Sequence, residues 1–493
     1  MTLPVLSLRS IPGTVAFLGC GDLTADRFCS DSRRLQRGDV FVALRGTGRD
    51  GHSFATAAAT AGAKAIITER PLAEIALPQC IVRDTRKTLA WLAMAQQGFP
   101  AEKLTLAGIT GTNGKTTTAW LLRSILKAAQ FQTGLIGTIE YSDGRHAETA
   151  GLTTPSPEDL ALLLRRMTDC GSTHCVIEVS SHALHQHRCN ALQLKAAAIT
   201  NITRDHLDYH RTWDEYLRCK LLIARLMRPD VPLLLGADDP GCRIAAELLK
   251  EVPIRRFGFA EDCPDRVVIL QSDNTGQSLL LLLDADRLEV HTPLVGAHNA
   301  LNALAAAALA RQLQVPGRAI IDGLRQVSEV PGRMEALYAG QAFNVFVDFA
   351  HTPDGLQQAV ATLRPFTQGR LFVVFGAGGD RDRDKRPLMA QAVDNADVVI
   401  VTSDNPRSES PRQIIEEICS GFRTTAHVQR CVDRETAIRT ALLAASPGDT
   451  VLIAGRGHET IQHFQDRQIH FDDRRVTLRI LREISVPPAS AVT

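Results

Sequence analysis

The stretch with the clearest chemistry is Gly111-Thr-Asn-Gly-Lys-Thr-Thr117. A short apolar run (Leu104, Leu106, Ile109) leads in, and a helical pattern (Trp120, Leu121, Leu122, Ile125, Leu126) leads out. Strand, glycine-containing loop and helix in that order turn backbone N–H groups inward beside the positive end of a helix dipole, which makes a seat for phosphate. Lys115 is placed to reach the outer phosphates, and the Thr116 hydroxyl to ligate Mg²⁺. The general pattern G-x-x-x-x-G-K-[ST] wants a glycine where this chain has Ile109, with Gly108 one residue early. A plain strand–turn–helix without a ligand is the alternative reading.

Other residues invite chemistry less directly. Glu178 closes the apolar run that starts at Cys175. A carboxylate there needs a partner, either a cation beside Thr116 or a structural salt bridge. His206 and His210 are four apart, so on a helix they share a face that could hold zinc. Leu207 stands where H-E-x-x-H has its glutamate, which argues against a zinc hydrolase. His182, His185 and His187 also cluster, as structural or solvated histidines usually do. Lys220 follows Tyr216 by one helical turn among Leu217, Leu221 and Leu222, the place of a surface lysine whose stem covers apolar neighbours. Ser30-Asp-Ser-Arg33 reads equally as a turn or as a binding loop.

The elements that must position these groups are strand-like runs, each ending in a polar cluster. Residues 1–100 read as a small α/β domain with runs at Val40–Leu44, Ala65–Thr68 and Cys80–Val82 and a helix over Phe54–Ala61. Residues 101–334 begin with the phosphate loop. Runs then end at Ser180-Ser-His182, Thr200-Asn-Ile-Thr-Arg-Asp-His206 and Gly236-Ala-Asp-Asp239, with helical patterns over Leu160–Met167, Tyr216–Leu226 and Cys242–Leu249. Residues 335–493 repeat the design, with clusters at Asp348–Pro353, Gly376–Arg381, Thr402–Arg407 and Gly455–Glu459. Alternating β and α units predict mostly parallel sheets, whose ligands sit beyond the carboxyl ends of the strands. The fold class is therefore α/β in three domains. The Gly-rich run at 376–379 lacks G-x-G-x-x-G spacing, so a dinucleotide reading is weak.

The chain has 493 residues, enough for about three domains. A formal net charge of +1 and sparse Tyr and Trp argue against a nucleic-acid or acidic-membrane partner. Eleven scattered cysteines without a C-x-x-C pair suggest reduced thiols and a cytoplasmic location. No apolar run reaches membrane-spanning length. The patch ending Phe17-Leu-Gly-Cys20 is broken by Arg9, Pro12 and Gly13 and reads as core, and the tail after Val486 reads as frayed.

Taken together, the motifs resemble the Mur ligases of cell-wall synthesis over nearly the whole chain. They are Gly111–Thr117, Glu178–His182, Thr203–His210, Tyr216–Lys220, Gly296-Ala-His-Asn-Ala-Leu-Asn302, Pro331–Glu335 and Asp348–Pro353, in that order. The set is most like members that add diaminopimelate to a UDP-N-acetylmuramoyl dipeptide. The resemblance implies an ATP-dependent amide ligase with a P-loop-like central domain and a Rossmann-like C-terminal one. Its co-substrates would be ATP, the UDP-N-acetylmuramoyl dipeptide and meso-diaminopimelate, its ion Mg²⁺, and its state a monomer. The route would be an acyl phosphate on the γ-carboxylate of D-glutamate, opened by the incoming amine.

The resemblance also assigns residues. ATP falls to Gly111, Thr112, Asn113, Gly114, Lys115, Thr116, Thr117, Asn299, Arg333, Asp348 and His351. Catalysis falls to Lys115, Glu178, His206 and a carbamylated Lys220, and metal to Thr116, Glu178, His206 and Lys220. Ser32, Thr153, Thr154, Ser180, Gln186 and Arg188 match contacts to the UDP substrate. Gly46-Thr-Gly-Arg-Asp-Gly51 replaces a Gly-His-Gln-x-Asp-Gly turn frequent in relatives, so contacts through 47–49 are not carried over. Asp404-Asn-Pro-Arg407 resembles the signature of diaminopimelate-adding members, with Arg381, Gly455 and Glu459 completing the amino-acid site. Arg407 could instead brace its loop, and Arg333 could form a structural ion pair. Lysine addition, a folylpolyglutamate synthase-like ligase and a nucleotide-binding scaffold without chemistry are the competing functions. The muramoyl-type motifs weigh against folate, and the intact Lys115, Thr116, Glu178, His206 and Lys220 weigh against the scaffold.

Overall fold

The computed structural model describes residues 5–19, 23–46 and 50–485. Cys20, residues 47–49 and the tail from Val486 onward lie outside the described residues. Among the described residues three large sheets follow one another along the chain, and their helices cover both faces.

The first sheet has the order Thr14–Leu18, Gln79–Val82, Ala65–Thr68, Val40–Val42, Phe28–Cys29, parallel except for its first pair. Its inner strands Val40–Val42, Ala65–Thr68 and Gln79–Val82 are buried on both faces, so they read as near-continuous apolar runs. The helix expected over 54–61 is a 3₁₀ turn, Gly51–Phe54, followed by Ala55–Thr60. Asp31 accepts from the Arg33 amide (3.0 Å) and guanidinium (2.9 Å), so the 30–33 segment is a turn. It also docks the domain, because Ser30 donates to Glu158 at 2.9 Å.

The central sheet has eleven strands, of which those from Thr133–Ile136 across to Asp265–Asp273 pair in parallel. Thr105–Thr110 lies inside this parallel run, between His174–Glu178 and Ala196–Ile199. Antiparallel ribbons extend both ends. Gly108 sits within its strand, where a Cβ would come 2.6 Å from Leu194. That glycine is a packing requirement, and the phosphate turn begins at Gly111. Helix Lys115–Ala128 packs beside Ala297–Gln312, whose alanines are almost all buried and permit close approach to the sheet.

The third sheet has the order Glu335–Ala336, Asn344–Asp348, Thr450–Ala454, Leu371–Phe375, Val398–Thr402, Val428–Cys431, parallel after its first pair. Helices Pro353–Leu363, Lys385–Ala392 and Pro411–Cys419 cover one face, and Arg434–Ala444 and Asp473–Ser485 the other. The carboxyl ends of the central and third sheets face each other, which brings their polar clusters to one cleft. No helix among the described residues is long and apolar enough to cross a membrane. No disulfide links the described cysteines.

Candidate active site

A cavity of about 250 Å³ opens where the phosphate loop meets the third sheet. It is lined by Gly111–Thr117, Thr153, Ser180, His206, Lys220, Asn299, Arg333, Asp348 and His351, so every residue assigned to ATP lies on its wall. The loop is built on two glycines that no other residue replaces cheaply. Gly111 (φ +151°) would place a Cβ 1.9 Å from the Thr200 hydroxyl, and Gly114 (φ +85°) one 2.3 Å from Asn302 Oδ1. Lys115 Nζ folds back onto the carbonyls of Gly111 and Thr112, 2.8 Å each. Burial pushes its ammonium below the ordinary lysine range, against the pull of Glu178 and Asp205.

Glu178, fully buried, is reached through its neighbours. Its Oε2 accepts from Thr116 Oγ1 (2.8 Å) and Thr138 Oγ1 (2.9 Å), and its Oε1 from the Thr138 amide (2.9 Å). The structure gives it hydroxyl partners and not the salt bridge that was the alternative. Hard oxygens grouped at the cavity wall suit Mg²⁺, which is held by one or two protein oxygens with phosphates and waters completing the shell. Among the described residues no three His, Cys, Asp or Glu side chains converge as a metal site.

The zinc pairing of His206 and His210 is corrected. His206 is left-handed (φ +56°) and precedes the short helix Leu207–His210, so the two residues are not an i, i+4 pair on one helix. His206 Nε2 faces Asp205 Oδ2 at 3.3 Å, and His210 Nε2 lies 3.0 Å from Ser181 Oγ. Lys220 is corrected too: it is 1% exposed, not a surface residue. Its Nζ donates to Gly111 O at 2.7 Å and lies 4.5 Å from the Tyr216 ring centroid. Burial, reinforced by the Lys115 charge, holds its amine well below the ordinary lysine pKa.

Five of the residues assigned to the UDP substrate form one network at the strand ends. Thr154 donates to Glu178 O (2.7 Å), the Ser180 amide donates to Thr154 Oγ1 (3.0 Å), and Arg188 donates to Thr154 O (2.7 Å) and Gln186 Oε1 (2.8 Å). Thr153 joins through Thr138 at 3.1 Å. Ser32 stands apart on the first domain and makes none of these bonds.

The amino-acid residues gather at the ends of Leu371–Phe375, Val398–Thr402 and Thr450–Ala454. Asn405 bridges the group, donating to Glu459 Oε2 at 2.7 Å and accepting from the His463 amide at 2.9 Å. Gly455 leaves room for Asp404, whose Oδ2 would be 2.7 Å from a Cβ there. Arg407 donates to Gly379 O at 2.7 Å, and Arg381 lies 3.8 Å from Asp208 on the central domain. Burial, with Asp404 beside it, raises the Glu459 carboxyl.

Asp205 was not singled out by the sequence. Burial raises its carboxyl, but His206, His351 and Lys385 outweigh this and hold it well below the ordinary range. It meets His351 Nε2 and Lys385 Nζ of the third domain, each at 3.8 Å. Its only signal was its place between Arg204 and His206 at a strand end. Lys385 was hidden in the alternating charges of Asp380–Arg386. Arg204 pairs with Asp382 at 3.1 Å, a second bond between domains.

Burial also pushes four histidines down: His174 and His210 to about 4, and His206 and His458 to about 3. Between about pH 4 and the ordinary value near 6.5, the unfolded chain binds protons that the folded chain refuses. Stability therefore rises with pH across that window, and thermal midpoints should fall steadily on acidification below 6.5. His174, 2.8 Å from Thr173 Oγ1 and stacked on Phe131, lies outside the cleft residues, so His174→Gln should flatten part of this slope. An unchanged slope would remove it as a contributor.

The fold and cleft define a three-domain α/β protein with a phosphate loop on one sheet and a polar, mixed-charge site on another. Three family descriptions match in chain order: Mur ligase family, catalytic domain (residues 28–97); Mur ligase middle domain (109–310); and Mur ligase, glutamate ligase domain (332–457). The chain belongs to the Mur ligase family. It is 40% identical over 484 residues to the UDP-N-acetylmuramoyl-L-alanyl-D-glutamate–2,6-diaminopimelate ligase of Bacillus licheniformis, covering 97% of this chain and 98% of that one. It is 42% identical over 464 residues to the protein of the same name from Geobacillus kaustophilus, covering 92% and 94%. A solved structure of a UDP-N-acetylmuramoyl-L-alanyl-D-glutamate–2,6-diaminopimelate ligase superposes with TM-score 0.67 at 30% identity, over 98% of this chain and 99% of that one.

Proposed function

We propose that this chain joins meso-diaminopimelate to UDP-N-acetylmuramoyl-L-alanyl-D-glutamate with hydrolysis of ATP to ADP and phosphate, a step of peptidoglycan precursor synthesis. The carrying observation is the pairing of a phosphate loop with an amino-acid site of mixed charge. Arg381 and Arg407 suit a carboxylate, and Asp404 and Glu459 suit an ammonium, across one cleft. Among the described residues Arg407 forms no ion pair and its Nη1 donates to Gly379 O, which leaves its other nitrogens for a ligand's carboxylate.

The chemistry needs two anions brought together. An oxygen of the γ-carboxylate attacks the γ-phosphorus and ADP leaves. The amine, having lost its ammonium proton, then attacks the acyl carbon, the C–O bond to phosphate breaks, and the second proton leaves the nitrogen as the amide forms. The loop amides of 111–117 and Lys115 cradle the phosphates. Arg333 is stacked on Phe349 (4.3 Å), with Nη2 donating to Thr116 Oγ1 (3.2 Å). Its Nη1 is buried with no partner among the described residues, so it is a donor poised for a phosphate oxygen. Thr116 and Glu178 would hold Mg²⁺, with His206 and a carbamylated Lys220 placing a second ion. Bound there, magnesium would screen the repulsion between carboxylate and triphosphate. Thr153, Thr154, Ser180, Gln186 and Arg188 would orient the dipeptide, with Ser32 reaching it from the first domain.

A neighbouring cavity of about 240 Å³ shares Asn113, Gly114, His298, Asn302 and Gln358 with the first and offers room for the nucleoside. The Arg204–Asp382 and Asp205–Lys385 contacts would hold the second and third domains together while the amine attacks. The test is mass analysis of the product formed from the dipeptide, ATP and an equimolar mixture of meso-diaminopimelate and L-lysine. The expected product carries diaminopimelate. An unextended dipeptide refutes ligation, and equal lysine incorporation refutes the amino-acid assignment.

A further inference from the structure

The turn that ends Thr450–Ala454 carries a charge with no ordinary explanation. Arg456 is 0% exposed, between Gly455 and Gly457. One nitrogen, Nη2, donates to Phe471 O at 3.1 Å, while Nε and Nη1 are buried without a hydrogen-bond partner among the described residues. Leaving buried guanidinium donors unpaired is costly, so a compensating interaction is called for. The nearest carboxylate is Glu459, whose Oε2 lies 3.8 Å from Arg456 Nε. The two ends differ in access: the Glu459 side chain is 35% exposed, and the Arg456 side chain not at all. Ligand therefore meets Glu459 and not Arg456.

We infer that Arg456 is a positioning residue for the incoming amino acid, holding Glu459 ionised and aimed into the site so that the carboxylate receives the substrate's ammonium. This rests on the reading of Glu459 as an amino-acid contact. The geometry explains why a second group is needed. Glu459 sits beside Asp404, and two carboxylates in a partly dry pocket repel. Asn405 fixes one oxygen but brings no charge. The charged and titratable groups facing Glu459 are Asp404 from the third domain's middle strands, Arg407 from the same loop, His351 and Arg333 from the domain junction, and Arg434 and Arg456 behind. Arg434 is committed to Asp473 through two bonds of 2.8 Å. Arg407 is turned to Gly379, and Arg333 to Thr116. Arg456 is the cation left for Glu459.

The experiment compares Arg456→Gln, Arg456→Lys, Glu459→Gln and the double variant Arg456→Gln/Glu459→Gln in the full chain, measuring KM for meso-diaminopimelate, dipeptide and ATP. Arg456→Gln should raise the diaminopimelate KM about tenfold or more, with the other two KM values within about twofold of the parent. Arg456→Lys should recover part of the loss. The rise should be larger at acid pH, where an unsupported Glu459 protonates, and smaller at alkaline pH. In the Glu459→Gln background Arg456→Gln should add nothing, because its effect passes through Glu459. Equal rises in all three KM values, or additivity in the double variant, mark a merely structural arginine and overturn the proposal. An unchanged diaminopimelate KM in Glu459→Gln overturns instead the reading of Glu459 on which the proposal rests.

Discussion

Lys220→Ala is expected to lower kcat by about ten- to a hundredfold, the scale seen when a metal site loses a group that shapes it. The argument begins with burial. Two lysines, 115 and 220, donate to the same Gly111 carbonyl inside one cavity. Two ammonium groups so close repel, and burial disfavours both charges. Lys220 bears the larger depression, which favours its neutral amine. A neutral buried amine adds CO₂ at nitrogen and releases a proton, giving a carbamate anion. At Lys220 that reversal of sign would turn a repulsive neighbour of Lys115 into its counter-ion and would supply oxygen donors at the cavity wall. Lys220→Arg should be as inactive as the alanine variant, since a guanidinium stays protonated and cannot carbamylate. A small carboxylate such as acetate, admitted to the space left by Lys220→Ala, should restore part of the rate. The intact protein should gain the mass of one CO₂ under native conditions and lose it in acid. Turnover near the parent's in Lys220→Ala would take this lysine out of the mechanism.

Much of the cleft was legible because parallel sheets put function at strand ends. Runs such as Ala196–Ile199, Leu371–Phe375 and Thr450–Ala454 fall on observed strands residue for residue, and the clusters that follow them line the cleft. The antiparallel edge from Asp265 to Thr292 was not legible. Leu279–Leu283 is an unbroken leucine run with no period, although the strand buries Leu279, Leu281 and Leu283 on one side. Lys220 illustrates a different limit. Helix Trp213–Leu221 is amphipathic, but its lysine faces the loop of another element, and only the tertiary path decides that. Histidine spacing misled because it assumed a helix at 206, where the backbone is left-handed. Asp205 and Arg456 escaped for a common reason. Asp205 meets His351 and Lys385 from distant segments, and although Glu459 is only three residues from Arg456, the Asp404 beside it comes from another strand end. Local sequence carries no trace of such meetings.

Arg407→Ala is the second large effect expected, and it bears on selectivity. Diaminopimelate differs from lysine by a carboxylate, so a discriminating site must present a cation where that group lies. Arg407 is held in place at some cost. Its backbone is left-handed (φ +52°), unusual for a residue with a Cβ, and its amide is tied to His463 O at 3.0 Å. The loops around it are in close contact, since a Cβ at Gly379 would lie 1.9 Å from Pro406 O. Burial, aided by Arg381, pulls the guanidinium below its ordinary pKa, so an arriving carboxylate relieves an unfavourable charge. Charge-assisted bonds of this kind are worth about 1.5–3 kcal/mol, which corresponds to roughly 10- to 150-fold in kcat/KM. That loss should fall on diaminopimelate alone. Lysine, which never met the guanidinium with an anion, should react as slowly as before or somewhat faster once the charge is gone. Arg407→Lys should recover little, because a point charge does not reproduce the planar fork. Competition between the two amino acids, read as the ratio of products by mass, isolates this term from any general loss of activity. A preference for diaminopimelate unchanged in Arg407→Ala would move the selectivity to Arg381, the other guanidinium of the site, and leave Arg407 as a brace for the loop at Gly379.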